Sequence, residues 1–188
     1  MTDQLNVLVI CGSLRKRSYN AALTRALPAL VPPEMQLITA PSFETFPLYN
    51  ADLQETSGFP APVNVLAAAI RSADGVLFVT PEYNWSMPGA LKNAIDWVSR
   101  MKDQPFKEKP VAIQSASQGP LGGARMQYHW RMSMTFLNAF IFGTPEVFVG
   151  LAASKFDKET LALTDQPTKD IVKVQLAAFA KFIAKMKR

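Results

Sequence analysis

The chain has 188 residues, enough for about one domain with a sizeable core, and its 48% hydrophobic and 19% charged residues exclude a modular array and a mainly disordered chain. Lys and Arg outnumber Asp and Glu by 20 to 15, and the net +5 points to an anionic partner without naming it. The excess lies in residues 95–188, which hold 14 basic and 8 acidic side chains against 6 and 7 in residues 1–94.

The first apolar run, Asn6–Ile10, is short and β-branched and ends at Gly12, so it reads as a buried strand followed at once by a turn. It is reached without a basic leader and continues into Gly-Ser instead of a cleavage site, so no secretory signal is expected. A helix is predicted over Asn20–Leu27, stopped by Pro28 or by Pro32-Pro33, and a weaker strand over Met35–Thr39. Residues 40–62 carry Pro41, Pro47, Gly58, Pro60 and Pro62 and are predicted as a surface loop with at most one turn of helix, of a kind that often covers a site. Val63–Ser72 reads as a helix, Gly75–Thr80 as a buried strand ended by Pro81, and Ala90 to about Arg100 as a helix with Leu91, Ala94, Ile95 and Val98 on one side. Pro110 introduces a strand over Val111–Ser115, and the Gly-rich turn Gly119–Gly123 leads to a long helix predicted over Ala124–Phe140. Pro145–Val149 is the fifth strand. The last helix, Lys169–Lys187, turns Val172, Leu176, Phe179, Ile183 and Met186 inward and Lys169, Lys173, Lys181 and Lys185 outward. Asn138, Pro145 and Glu146 interrupt the most apolar stretch, so no membrane span is expected.

Apolar strands alternating with helices argue for an α/β three-layer sandwich, a five-stranded parallel sheet covered on both faces, as a single domain over residues 1–188. In such a sheet with order 2-1-3-4-5, ligands bind outside the carboxyl ends of the strands where the order reverses. The loops concerned are Gly12–Asn20, Pro81–Gly89 and Ser115–Gly123. They are also the segments richest in Gly, Ser, Asn and Arg.

The first loop, GSLRKRSYN, sets Ser13, Arg15, Ser18, Tyr19 and Asn20 around a helix start, a composition suited to a phosphate, with a solvated basic turn and Ser18 as an ordinary N-cap as the alternative. It contains neither GxxxxGK[ST] nor GxGxxG. The second loop, TPEYNWSMPG, holds Pro81, Glu82, Tyr83, Asn84 and Trp85, which either present an aromatic and an amide to a flat ligand or pack Tyr83 and Trp85 against a neighbouring subunit. Lys92 and Asp96 have the spacing of a surface pair. In the third loop Ser115 and Ser117 can hydrogen-bond a ligand, and Gly119, Gly122 and Gly123 allow close backbone approach. Arg125, Tyr128 and Arg131 serve either an anionic substrate or a subunit contact. The lone His129, mid-helix, reads as structural, and the lone Cys11 as buried and inert. With one Cys and one His, an internal disulfide and a Cys- or His-rich metal site are excluded, which fits a reducing, cytoplasmic setting.

GSLRKRSYN, PEYNWSMPGALKNAIDW and SQGPLGGARMQYHWR together resemble the NADPH-dependent FMN reductase family, in particular its chromate and quinone reductase branch, and the resemblance runs from about Asn6 to Lys187. It implies a flavodoxin-like fold, bound FMN with NADPH or NADH as co-substrate, and a homodimer or homotetramer. It further implies that Ser13, Arg15, Ser18 and Asn20 hold the FMN phosphate, that Pro81 to Asn84 line the isoalloxazine, and that Ser117 with the following glycines closes the far side. The expected reaction moves hydride from NAD(P)H to FMN and then two electrons to a quinone-like acceptor, with chromate or free flavin as further acceptors and no catalytic side chain. A flavodoxin-like electron carrier is the alternative, against which stands the basic surface. The lysine stripe of the last helix is the solvated side of an amphipathic pattern, so no nucleic-acid partner is expected.

Overall fold

Strand β1 (Leu5–Cys11) is buried on both faces, and its alternate residues serve different cores: Val7 and Val9 join one apolar cluster, Leu8 and Ile10 the other. The same division runs through β3 (Gly75–Val79) and β4 (Pro110–Ala116), so that the sheet is the middle layer of three. The computed structural model describes residues 4–187, and the first three residues and Arg188 of the expected domain lie outside the described residues.

One face is covered by α1 (Tyr19–Ala26) and α6 (Gln166–Met186), through Leu23, Val172, Leu176, Phe179 and Ile183. The other is covered by α3 (Ala61–Ser72), α4 (Gly89–Ser99) and α5 (Ala124–Phe136), whose Leu66, Ile70, Trp97 and Trp130 are wholly buried. With β2 (Met35–Thr39) outside β1, the parallel strands run in the order 2-1-3-4-5, as expected, with Val7 opposite Gly75 and Val76 opposite Val111.

The fifth position is shared by two short pieces. β5 (Phe140–Ile141) pairs with Pro110 and Val111 at one end of β4, and β6 (Val147–Val149) pairs with Gln114–Ala116 at the other. The strand expected over Pro145–Val149 is therefore the second piece. Phe140, the start of the first, is the end of the helix expected over Ala124–Phe140, but α5 stops at Phe136 because Asn138 takes a left-handed conformation (φ 56°) and the Ala139 N–H folds back on the Met134 carbonyl. The loop over residues 40–62 also differs: it contains α2 (Ala51–Ser57), capped by the Asn50 side chain on the Asp52 N–H. Phe43 and Phe46 of this loop enter the core, and the Pro47 carbonyl accepts from Asn93 and Trp97 of α4. Prolines set the path of the segment, and these anchors hold it. No described helix is long and apolar enough to cross a membrane.

At the amino-terminal end of the strands, the end of α6 is tied to the sheet. The Asp74 carboxylate accepts from Lys187 at 2.6 Å and from the Asn6 N–H at 2.7 Å. Burial pushes the Asp74 carboxyl up, but Lys187, the Asn6 N–H and nearby Lys109 together outweigh it and hold the pKa below the ordinary aspartate value. With the folded-state value below the unfolded one, the stabilisation is present above the ordinary aspartate range and is lost as pH falls through the lowered value. Asp74→Asn is expected to lower stability at neutral pH by about 1 kcal/mol and to flatten the decline on the acid side, as measured by urea unfolding between pH 3 and pH 7.

Candidate functional site

The ends of β1, β3 and β4 open into a trough of about 280 Å³, at the small end of ligand cavities. Its walls come from the three loops singled out above. From the first come Ser13, Arg15, Ser18, Tyr19 and Asn20; from the second Pro81, Glu82 and Tyr83; from the third Ala116, Ser117 and Gln118.

The first loop leaves β1 at Gly12, where a Cβ would overlap the Thr80 hydroxyl at the end of β3, so only glycine lets the two strand ends lie this close. Ser18 is the N-cap of α1, its hydroxyl accepting from the Ala21 N–H at 3.0 Å, and the first turn of the helix holds no acid. The amides of Tyr19 and Asn20, at the first two helical positions, have no intrahelical acceptor. The N-cap and phosphate readings of Ser18 are compatible, since the hydroxyl proton remains free to donate. Arg15 is exposed beside the trough, whereas Arg17 is turned aside onto the Glu159 carbonyl at 2.9 Å. Asn20 is 3% exposed and grips the Ala116 backbone, donating to its carbonyl and accepting from its N–H, both at 2.9 Å.

The second loop is a tight hairpin in which Tyr83 and Ser86 exchange two 2.9 Å backbone hydrogen bonds, with Asn84 (φ 50°) and Trp85 (φ 63°) both left-handed at its tip. A left-handed tryptophan costs roughly 1–2 kcal/mol, and three contacts with α5 oppose that cost. Glu82 accepts from the Met126 N–H at 3.1 Å, the Arg125 guanidinium lies 4.3 Å from the centre of the Trp85 ring, and His129 Nδ1 meets the Ser86 hydroxyl at 3.1 Å. His129 is thus a latch, in keeping with its structural reading. Lys92 and Asp96 form a half-exposed ion pair at 2.6 Å. Asn84 and Trp85 are exposed and stand outside the trough.

In the third loop Ser117 accepts from the Gly119 N–H at 3.0 Å. Ser115 lies beneath the lining: wholly buried, it donates to the Gly122 carbonyl at 2.6 Å and accepts from Gln127 at 2.7 Å. Gly122 (φ 59°) and Gly123 (φ 91°) also stand outside the lining, since a Cβ on the former would strike the 148–150 backbone and one on the latter Ser115. A Cβ on Gly119 would touch the Ser117 hydroxyl at 3.5 Å, and Gly119 is likewise not a wall. Ala116, Gln118 and the buried Gln127 were missed by sequence reasoning. Gln127, whose side-chain N–H groups reach both Ser115 and the Val147 carbonyl at 2.9 Å, carries no motif, and only a lone amide on the buried face of α5 marks it.

Hydroxyls, a guanidinium and the first amides of α1 converge on one end of the trough, and its single acid, Glu82, is committed to α5. That donor set fits a phosphorylated cofactor such as FMN.

Residues 5–154 match the family described as NADPH-dependent FMN reductase. The chain is 49% identical over 187 residues to a quinone reductase of Escherichia coli and 43% identical over 187 residues to an NAD(P)H-dependent FMN reductase of Pseudomonas aeruginosa, each alignment covering 100% of both chains. Among solved structures it is similar to FerB, a flavoenzyme NAD(P)H:(acceptor) oxidoreductase from Paracoccus denitrificans, with a TM-score of 0.85 and 32% identity over 97% of this chain and 98% of that one.

Replacing Gln127 by Leu leaves the Ser115 hydroxyl and the Val147 carbonyl each short of a buried donor. The expected cost is about 1–3 kcal/mol, a fall in Tm of roughly 3–10 °C, read by thermal unfolding.

Proposed function

The chain belongs to the NADPH-dependent FMN reductase family and is an FMN-dependent oxidoreductase that uses NAD(P)H to reduce quinone-like acceptors, and on that premise we propose how its own residues serve the reaction. The hydride and electron chemistry is that of bound FMN, which is why the trough needs no acid, base or nucleophile. The carrier alternative is thereby set aside.

The convergence of Ser13, Arg15 and Ser18 on the start of α1 carries the assignment. The two hydroxyls and the Arg15 fork hold the FMN phosphate, assisted by the free amides of Tyr19 and Asn20. Pro81, Glu82 and Tyr83 line the isoalloxazine, with Asn84 beside them at the exposed hairpin tip, and Ser117 closes the far side, its hydroxyl accepting from the Gly119 N–H. Asn20 is itself a wall of the trough, whereas Ser115, Gly122 and Gly123 act one layer back. Asn20 fixes the end of β4 against α1, and Ser115 and the two glycines shape the turn that carries Ser117. Tyr83, half exposed at the mouth, would shield bound FMN from water, and the open mouth beside it would admit a nicotinamide or a quinone.

Homo-oligomerisation is supported by α5. Tyr128, Met132 and Phe136 recur every four residues on its outer side, Phe136 is 88% exposed, and Met132 and Phe136 border a groove of about 830 Å³ between α4 and α5. A second copy of the chain is the proposed cover, as a dimer or a tetramer. The free thiol of Cys11 suits a reducing compartment, and the cytoplasm is the proposed location.

Arg15→Ala removes a charge-assisted phosphate contact and is expected to weaken FMN binding on the order of tenfold to a hundredfold, measured by fluorescence titration of the stripped protein. Unchanged affinity would overturn the role of Arg15. Phe136→Asp is expected to shift sedimentation toward the monomer, and an unaltered profile would remove this face from the interface.

A further inference from the structure

A cavity of about 640 Å³ lies between α1 and the first half of α6, shares no lining residue with the trough, and falls within the size range of small-molecule sites. Its floor is aliphatic, built by Ala22, Ala26 and Leu30 on one side and Leu161 and Leu163 on the other, with no aromatic ring. Its rim carries Arg25 from α1 and Lys169 and Lys173, one turn apart on α6, and no Asp or Glu lines it.

These three cations form no ion pair among the described residues. Arg25 is held only by the Lys16 carbonyl, at 3.3 Å. Three nearby carboxylates already accept hydrogen bonds. Asp157 accepts from the Thr160 N–H and hydroxyl, both at 2.7 Å; Asp165 caps α6 through the Thr168 N–H at 2.9 Å; Asp170 accepts from Gln166 at 2.7 Å. The backbone that forms the floor is anchored as well: the Arg17 side chain binds the Glu159 carbonyl, and Leu161 is left-handed (φ 58°) and 9% exposed.

Three cations and no acid line one aliphatic floor, a charge pattern complementary to an anion. Without aromatic rings the floor offers no stacking for a nucleotide base, and Thr160 and Gln166 are its only neutral polar side chains. The chemistry left is a flexible hydrocarbon chain ending in a small anion. We propose that this groove binds an unbranched aliphatic carboxylate, a fatty acid, with its chain on Ala22, Ala26, Leu30, Leu161 and Leu163 and its head group between Arg25, Lys169 and Lys173. The site goes beyond the quinone reductase reading and does not rest on it.

Calorimetric titration of the FMN-loaded protein with dodecanoate, kept below its micelle concentration, tests this. Saturable binding of one molecule per chain is expected. The combined variant Arg25→Ser, Lys169→Ser, Lys173→Ser should bind at least roughly tenfold more weakly, and dodecanol should bind the native protein more weakly than dodecanoate by a similar factor. Ala29→Trp, a change at an exposed wall position, should weaken binding by narrowing the groove with all three cations in place. Absence of saturable binding, equal affinity in the serine variant, or equal affinity for the alcohol would overturn the proposal. So would sedimentation showing that the serine substitutions change the oligomeric state while dodecanoate fails to bind, because the cover would then be a second copy of the chain.

Discussion

Two hydrogen bonds between the Asn20 amide and the Ala116 backbone, spanning 96 residues of sequence, hold the trough together. Both are buried, so a broken partner would leave a polar group without water, and the clamp can be made in only one register. It fixes the start of α1 against the end of β4. The start of α1 is where free amides and Ser18 point outward, and the end of β4 is where Ser117 begins its turn. β3 lies between β1 and β4, with its Thr80 close against Gly12. Three loops distant in sequence therefore face one small volume.

The second loop is held differently. Its hairpin tip places two side-chain-bearing residues in the left-handed region, an arrangement that glycine would relieve, and three contacts to α5 oppose the strain. Glu82 links the two systems, because it lines the trough while its carboxylate accepts from the Met126 N–H in the first turn of α5. A shift of α5 would therefore reach Tyr83 directly. The same helix carries the exposed Tyr128, Met132 and Phe136 on its outer side and the Gln127–Ser115 bonds on its inner side. α5 thus connects the proposed subunit contact to the third loop as well as the second.

The fold was legible because its periodicities are strong. β1, β3 and β4 are each built on a short apolar run, and each helix that covers them has one buried stripe. What failed were short pieces that local pattern does not specify. The two residues of β5 are too few to display a period, and α2 buries none of its seven residues, so neither left a hydrophobic signature. Within the site, residue types located the three loops but not the direction of each side chain. Asn20 and Ser115 are chemically suited to a ligand, yet the structure spends both on backbone groups, one of them 96 residues away. Gly122 and Gly123 were read as room for a ligand, while the nearest obstacles to a side chain are Phe148–Gly150 and Ser115. Composition names the donors, and only long-range contacts decide which of them face the cavity.

The placement of charge follows the same logic. Arg15, Lys16 and Arg17 are adjacent in sequence, but only Arg15 lines the trough, and Arg17 braces the 157–162 loop through Glu159. Lys187 and Lys109 gather at Asp74 on the opposite edge of the sheet, Arg131 pairs with Glu146, and Lys92 with Asp96. A net charge of +5 is therefore no single basic surface. It resolves into a phosphate-sized point at the start of α1, several paired structural cations, and an unpaired group between α1 and α6. His129 meets the Ser86 hydroxyl, and the Cys11 thiol, only partly buried against the burial expected of it, points to the Ser13 carbonyl. The redox work belongs to FMN, and the chain spends its polar groups on holding that cofactor and on fixing the loops that surround it.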